Sequence, residues 1–172
     1  MKGYQKLMNI RLATIQDLSA IMDIYSHARA FMASHGNPTQ WGNNYPSVEM
    51  VTDDILSKHV YVCEKQEQIV VVFYYAVEND ATYHTIYQGN WLNDAPYGVV
   101  HRVASTGQIK GAASFCLQWA FSQCQNLKID THQDNFVMQN LLAKLGFTKC
   151  GTILTDDGSS RIAYQKTSLT IH

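Results

Sequence analysis

The chain has 172 residues, 46% of them hydrophobic, a size and apolar content suited to one domain with its own core. Thirteen basic and fourteen acidic residues leave a formal charge of −1 and a pI near 6.6. This excludes the broad positive field of nucleic-acid and anionic-membrane binders, so neither partner is expected, and any anionic ligand must be held locally.

In chain order, residues 1–7 read as an N-terminal tail and Met8 to Ala13 as a first strand. Thr14 follows as a helix N-cap with Asp17 in a capping-box position. Leu18, Ile21, Met22, Ile24 and Tyr25 then recur at helical spacing, giving a helix to about Ser34. His35-Gly36-Asn37-Pro38 stops it, and Trp41 to Pro46 is a loop of large aromatics among breakers. Ser47 opens a short second helix through Ser57.

From Val60 the pattern turns to β. Val60 to Cys63, a polar turn at Glu64 to Gln68, and the branched and aromatic run Ile69 to Val77 predict a hairpin. Asn79 to Pro96 is a long loop carrying His84, Tyr87 and Trp91. Tyr97 to Ala104 reads as a strand, Lys110 to Gln123 as a helix, Leu127 to Asp130 as a short strand, and Asn135 to Leu145 as a helix ended by Gly146. Phe147 to Leu154 and Arg161 to Lys166 close the chain as a hairpin across Asp156-Asp157-Gly158.

The order β-α-α-β-β-β-α-β-α-β-β predicts one domain over residues 1–172: an α/β, or α+β, sandwich. Its mixed, mostly antiparallel sheet has about six to seven strands, flanked by about four helices. A doubly wound nucleotide fold is excluded, because three consecutive strands precede the first long crossover. Cys63, Cys116, Cys124 and Cys150 match neither a zinc framework nor a C-x-x-C pair. They read as free thiols in a reducing compartment. Met1 to Lys6 has no apolar signal core, and no run approaches the ~20 apolar residues of a membrane span, so a cytoplasmic location is expected.

The chemistry concentrates between His101 and Ala113, where a strand enters a small-residue turn and an amphipathic helix. Backbone N–H groups at a helix start lack intrahelical partners and carry partial positive charge, and Gly111, Ala112 and Ala113 add no bulk to block a phosphate. Lys110 adds a cation. A Walker loop is excluded because Lys110 precedes the glycine, and no G-x-G-x-x-G occurs. The pattern that fits is Q/R-x-x-G-x-G/A, as Gln108-Ile109-Lys110-Gly111-Ala112-Ala113. It resembles the acyl-CoA pyrophosphate loop of the GNAT superfamily of N-acetyltransferases. The second half agrees: Leu127 to Asp130, then Asp134-Asn135, Met138, Leu141, Lys144 and Gly146-Phe147. The resemblance covers roughly Met8 to Lys166. With Trp41, Tyr45-Pro46, His101-Arg102, Asp130-Thr131-His132 and Arg161 to Tyr164, the chain is similar to a bacterial subgroup without assigned substrates.

The resemblance implies that backbone groups of Val103 and Ser105 bind the pantetheine arm, and that the N–H groups of Gln108, Ile109, Lys110, Gly111, Ala112 and Ala113 hold the pyrophosphate. Asn135 and Met138 then approach the acetyl-CoA or CoA cosubstrate. It further implies acyl transfer to a primary amine of a small molecule or protein, and a homodimer; with no further ligand cluster in the sequence, no metal is expected. Many members carry a tyrosine acid seven residues after the Asn; here that position is Leu142, which cannot donate a proton. Tyr164 or a water is the substitute.

For the base, His101 and His132 are the candidates, since an imidazole near its ordinary pKa of about 6.5 suits proton transfer at neutral pH. His101 lies two residues before Val103 and on a regular strand shares its face. His132, between Asp130 and Asp134, reads first as a cap for the following helix and only second as a base. Glu78 and Asp80 are remote alternatives. Trp41, Tyr45 and Trp91 are candidates for an acceptor pocket, or pack their loops onto the core. Two further readings stay open: a non-catalytic acyl-CoA sensor, and a structural domain whose helix start meets only stray anions.

Overall fold

The alternating and helical apolar patterns close into the expected elements in a computed structural model that describes residues 8–169; the expected tail at 1–7 lies outside the described residues. The strands are β1 (Met8–Leu12), β2 (Val60–Lys65), β3 (Gln68–Val77), β4 (Gly98–Ser105), β5 (Asn126–Thr131), β6 (Thr148–Leu154) and β7 (Ser160–Thr167). The helices are α1 (Leu18–Ser34), α2 (Val48–Leu56), α3 (Ala112–Cys124) and α4 (Phe136–Lys144). Hydrogen bonding orders the strands β1-β2-β3-β4-β5-β7-β6 in one mixed, mostly antiparallel seven-stranded sheet. No helix among the described residues is long and apolar enough to cross a membrane.

The chain divides into two compact units. One takes the described residues up to Tyr75 together with Arg102–Cys116; the other takes Ala76–His101 and the residues from Leu117 onward. In the first, Ile21, Ile24, Tyr25 and Ala28 of α1 pack with Val51 and Ile55 of α2, Val60 and Val62 of β2, Val72 and Trp41. Each such aliphatic side chain taken from water contributes about 1.5–3 kcal/mol, which selects this register of both helices. In the second, Leu117, Leu127, Leu142, Ile153 and Ala163 are fully or almost fully buried.

Local chemistry sets the element ends. The Asp17 carboxylate accepts from the Thr14 backbone N–H at 2.7 Å and from Arg11 Nη1 and Nη2 at 2.7 and 3.0 Å; Glu64 holds the same guanidinium through Nε. The first turn after Thr14 is 3-10 (Ile15–Asp17), so the α-helix opens later than the capping pattern alone predicts. Ser47 caps α2, its hydroxyl accepting from Met50 N–H at 3.1 Å. The β2–β3 hairpin turns at Gln66 and Glu67, both left-handed (φ 52° and 63°), in a two-residue turn without glycine. The loop expected from Asn79 holds a 3-10 turn at Ala81–Tyr83 and a bridge from Tyr87 to Thr152.

All four cysteines are free thiols, with Cys63, Cys116 and Cys150 buried. Two local features shape the chemistry. The parallel β4–β5 ladder carries two residue pairs, Gly98↔Leu127 and Val99↔Lys128. Further along β4, Arg102 takes a φ of 53°, a left-handed backbone that is rare for a non-glycine residue.

Candidate active site

The turn leaving β4 takes its shape from glycine and hydroxyl chemistry. Gly107 and Gly111 are left-handed (φ 76° and 82°), conformations that glycine enters without steric cost, and a Cβ at either would meet nothing within 4 Å. Ser105 Oγ accepts from Gly107 N–H at 2.9 Å and Thr106 Oγ1 from Gln108 N–H at 3.3 Å; Thr106 N–H donates to Val70 O at 2.9 Å. Of the N–H groups expected to hold a pyrophosphate, that of Gln108 thus already serves the turn, and that of Ala112 reaches Ile109 O at a long 3.4 Å. Gln108, Lys110 and Gly111 lie on the surface, Ile109 and Ala113 are half-buried and Ala112 is buried. The turn feeds α3, where the Phe115 N–H bonds back to Gly111 O at 2.9 Å, so the amides before it are the ones a helix start offers to an anion.

His101, on β4, hydrogen-bonds Asp80 through Nε2···Oδ2 at 2.8 Å. Burial disfavours the Asp80 carboxylate, but His101 and Thr82, whose Oγ1–H and N–H donate to Oδ1 at 2.7 and 2.9 Å, outweigh it and hold the group down at about 2. An ionised Asp80 accepts the Nε2 proton, which puts the imidazole lone pair on Nδ1. Glu78 completes a cluster: one ligand-capable atom from each of Glu78, Asp80 and His101 lies within 4.8 Å of the others. The Tyr83 ring lies 6.0 Å from the His101 ring, and its hydroxyl donates to Asp130 at 2.6 Å. Burial, then the Asp130 charge, raise the Tyr83 hydroxyl far above its ordinary value. Sequence reasoning ranked Asp80 as remote; the signal was Asp80-Ala81-Thr82, an acidic residue capping a short turn.

His132 Nδ1 accepts from Asp134 N–H at 3.0 Å while its carbonyl accepts from Asn135 N–H, a capping geometry ahead of α4. Burial, with Arg161, lowers its imidazole against the opposing pull of Asp134. Asn135 caps α4, its Oδ1 accepting from Met138 N–H at 3.1 Å. Leu142 is fully buried. Tyr164 is buried on β7, and burial raises its hydroxyl. Val103 and Ser105 are half-buried on β4. The left-handed Arg102 interrupts strand alternation, so the two-residue spacing does not by itself put His101 and Val103 on one face.

Among the aromatic candidates, Trp41 is only 8% exposed and stands edge-on to Tyr25 at 5.6 Å: it is a core residue. Trp91 donates from Nε1 to Tyr83 O at 2.8 Å, and its ring lies 4.2 Å from Lys128 Nζ, which also sits 3.9 Å from the Tyr97 ring. Trp91 therefore does cover a cation, but the cation is the chain's own Lys128, 4% exposed, whose amine burial lowers. Tyr45 is at the surface, and its hydroxyl accepts from Arg102 Nη1 at 3.2 Å.

No protein-family model and no curated protein matches the chain. Among solved structures, an acetyltransferase of the GNAT family from Streptococcus agalactiae 2603 is 32% identical over 95% of this chain and 96% of its own, with a TM-score of 0.87. A GNAT-family acetyltransferase from Listeria monocytogenes 4b F2365 is 14% identical over 92% and 94%, TM-score 0.68. YncA from Salmonella typhimurium, solved with its cofactor acetyl-CoA, is 16% identical over 96% of both chains, TM-score 0.65. These last two share the fold. The Streptococcus likeness in sequence and fold, end to end, goes further: this chain belongs to the GNAT family of N-acetyltransferases.

Proposed function

We propose that the chain transfers an acetyl group from acetyl-CoA to a primary amine by direct attack in a ternary complex. The observation that carries the reading is the turn from Ser105 to Gly111, shaped by two left-handed glycines and two hydroxyl-closed turns, leading into the first turn of α3. Backbone N–H groups from Ile109 to Ala113, with Lys110, hold the CoA pyrophosphate; YncA, with the same fold, was solved with acetyl-CoA.

The acceptor nitrogen attacks the thioester carbonyl carbon, the C–S bond breaks and CoA thiolate leaves, while the second proton of the attacking nitrogen passes to solvent. Holding both reactants in place supplies about 7–11 kcal/mol of the barrier reduction. The Val103 N–H stabilises the oxyanion. An amine of ordinary pKa near 10.4 arrives protonated, and His101 Nδ1 takes its proton while the Asp80 carboxylate steadies the imidazolium. A thiol of ordinary pKa around 8.5 leaves as its anion, so a hydrophobic Leu142 is tolerated. Glu78 beside this pair favours a cationic acceptor.

Thermal unfolding tests the cofactor. Acetyl-CoA at about a hundredfold excess over its Kd is expected to raise the Tm by about 5–10 °C. Gly111→Glu abolishes the rise, whereas Gly111→Ala, which carries the same backbone cost without the charge, keeps most of it. An unmoved wild-type Tm overturns the reading. In a thiol-release assay over small amines and peptides, His101→Gln loses about 10²-fold in rate at unchanged CoA affinity. Binding with no thiol release from any amine leaves the acyl-CoA sensor.

A further inference from the structure

Arg102 occupies a backbone conformation that costs a side-chain-bearing residue roughly 1–2 kcal/mol, and such positions persist where their surroundings enforce them. Here the enforcement is visible on every side. The side chain is 13% exposed. Its Nη2 donates to Asp54 of α2 at 2.5 Å and its Nη1 to the Tyr45 hydroxyl at 3.2 Å, while the guanidinium lies 4.9 Å from the Tyr74 ring centroid on β3. The backbone is held too: the Tyr25 hydroxyl, from the buried face of α1, donates to the Arg102 carbonyl at 3.0 Å. That carbonyl belongs to the same peptide plane as the Val103 N–H, so whatever fixes one fixes the other.

We infer that Arg102 is a positioning residue: its tethers to Asp54, Tyr45, Tyr74 and Tyr25 hold β4 in a left-handed kink that sets the direction of the Val103 N–H. The inference rests on the reading of Val103 as the oxyanion donor. In a regular strand successive N–H groups alternate between the two neighbours, and one left-handed residue turns the following amide out of that sequence. A planar, forked guanidinium can meet a carboxylate, a hydroxyl and a ring face at once, which an ammonium cannot.

The test compares Arg102→Ala with Arg102→Gly. Both lose every side-chain tether, but glycine enters the left-handed region without penalty. Arg102→Ala is expected to lower kcat by about 10–100-fold with the Kd for acetyl-CoA within about twofold, and Arg102→Gly to recover about five- to tenfold of that loss. Tyr25→Phe, which deletes one hydroxyl, lowers kcat in the same sense by a smaller factor. A packing role predicts the reverse order, with glycine the worse substitution. Glycine no better than alanine, or a loss confined to acetyl-CoA affinity, overturns the inference. Amide hydrogen exchange at Val103 separates it from the functional reading, because it needs no turnover. Exchange that quickens in Arg102→Ala and returns toward wild type in Arg102→Gly supports the clamp even if no amine is acetylated; exchange equal in all three overturns it.

Discussion

His101 and Asp80 show how one contact changes what a residue can do. A histidine on a half-buried strand is unremarkable until it meets a carboxylate, kept ionised by that histidine's own hydrogen bond and by Thr82, that accepts its Nε2 proton. The same contact has a stability consequence. The Asp80 carboxyl is held at about 2, below its ordinary value, so its ionised form favours the folded state. That contribution is full above about pH 4, is lost as pH falls through about 2, and amounts to about 2 kcal/mol. Asp80→Asn should therefore lower the urea midpoint at pH 6, and the gap to wild type should close as pH approaches 2. A gap unchanged at pH 2 would assign the loss to packing. Trp41 and Trp91 carry the converse lesson. Large aromatics among loop breakers suggested an acceptor pocket, yet one joins the core beside Tyr25 and the other covers Lys128. Nothing local distinguishes those fates, because each depends on a partner brought from far along the chain.

Among the elements, helices and strands followed apolar periodicity closely, since a buried face imposes its period on sequence wherever it occurs. Ser47 illustrates a legible helix start, and α2 depends on it to present Asp54 to Arg102. Ser47→Ala is expected to cost about 1 kcal/mol, read as a lower urea midpoint at unchanged m-value; a change below about 0.3 kcal/mol would mean that packing of Val51 and Ile55 holds the first turn unaided. The kink at Arg102 was not legible. Left-handed backbone is read from glycine or asparagine, and an arginine held there by tertiary tethers leaves no such mark. The two-pair β4–β5 ladder was equally hidden, because pairing between strands separated by a helix is a tertiary fact.

For the molecule as a whole, a formal charge of −1 means that a polyanionic cofactor meets no long-range attraction. The rate of CoA association should then vary by less than about threefold between about 0.05 and 0.5 M salt. A tenfold fall would reveal an extended positive surface beyond Lys110 and the α3 start. Amino-acid order by itself determined the succession of strands and helices, the glycine-bearing turn before α3, and the helix start at Ser47, because each depends on periodicity or on chemistry within a few residues. Tertiary structure alone decided that Asp80 backs His101, that Lys128 lies against the Trp91 ring, and that Arg102 is tied into a kink. Those outcomes depend on groups distant in sequence meeting at hydrogen-bond distance, where burial makes each pairing count.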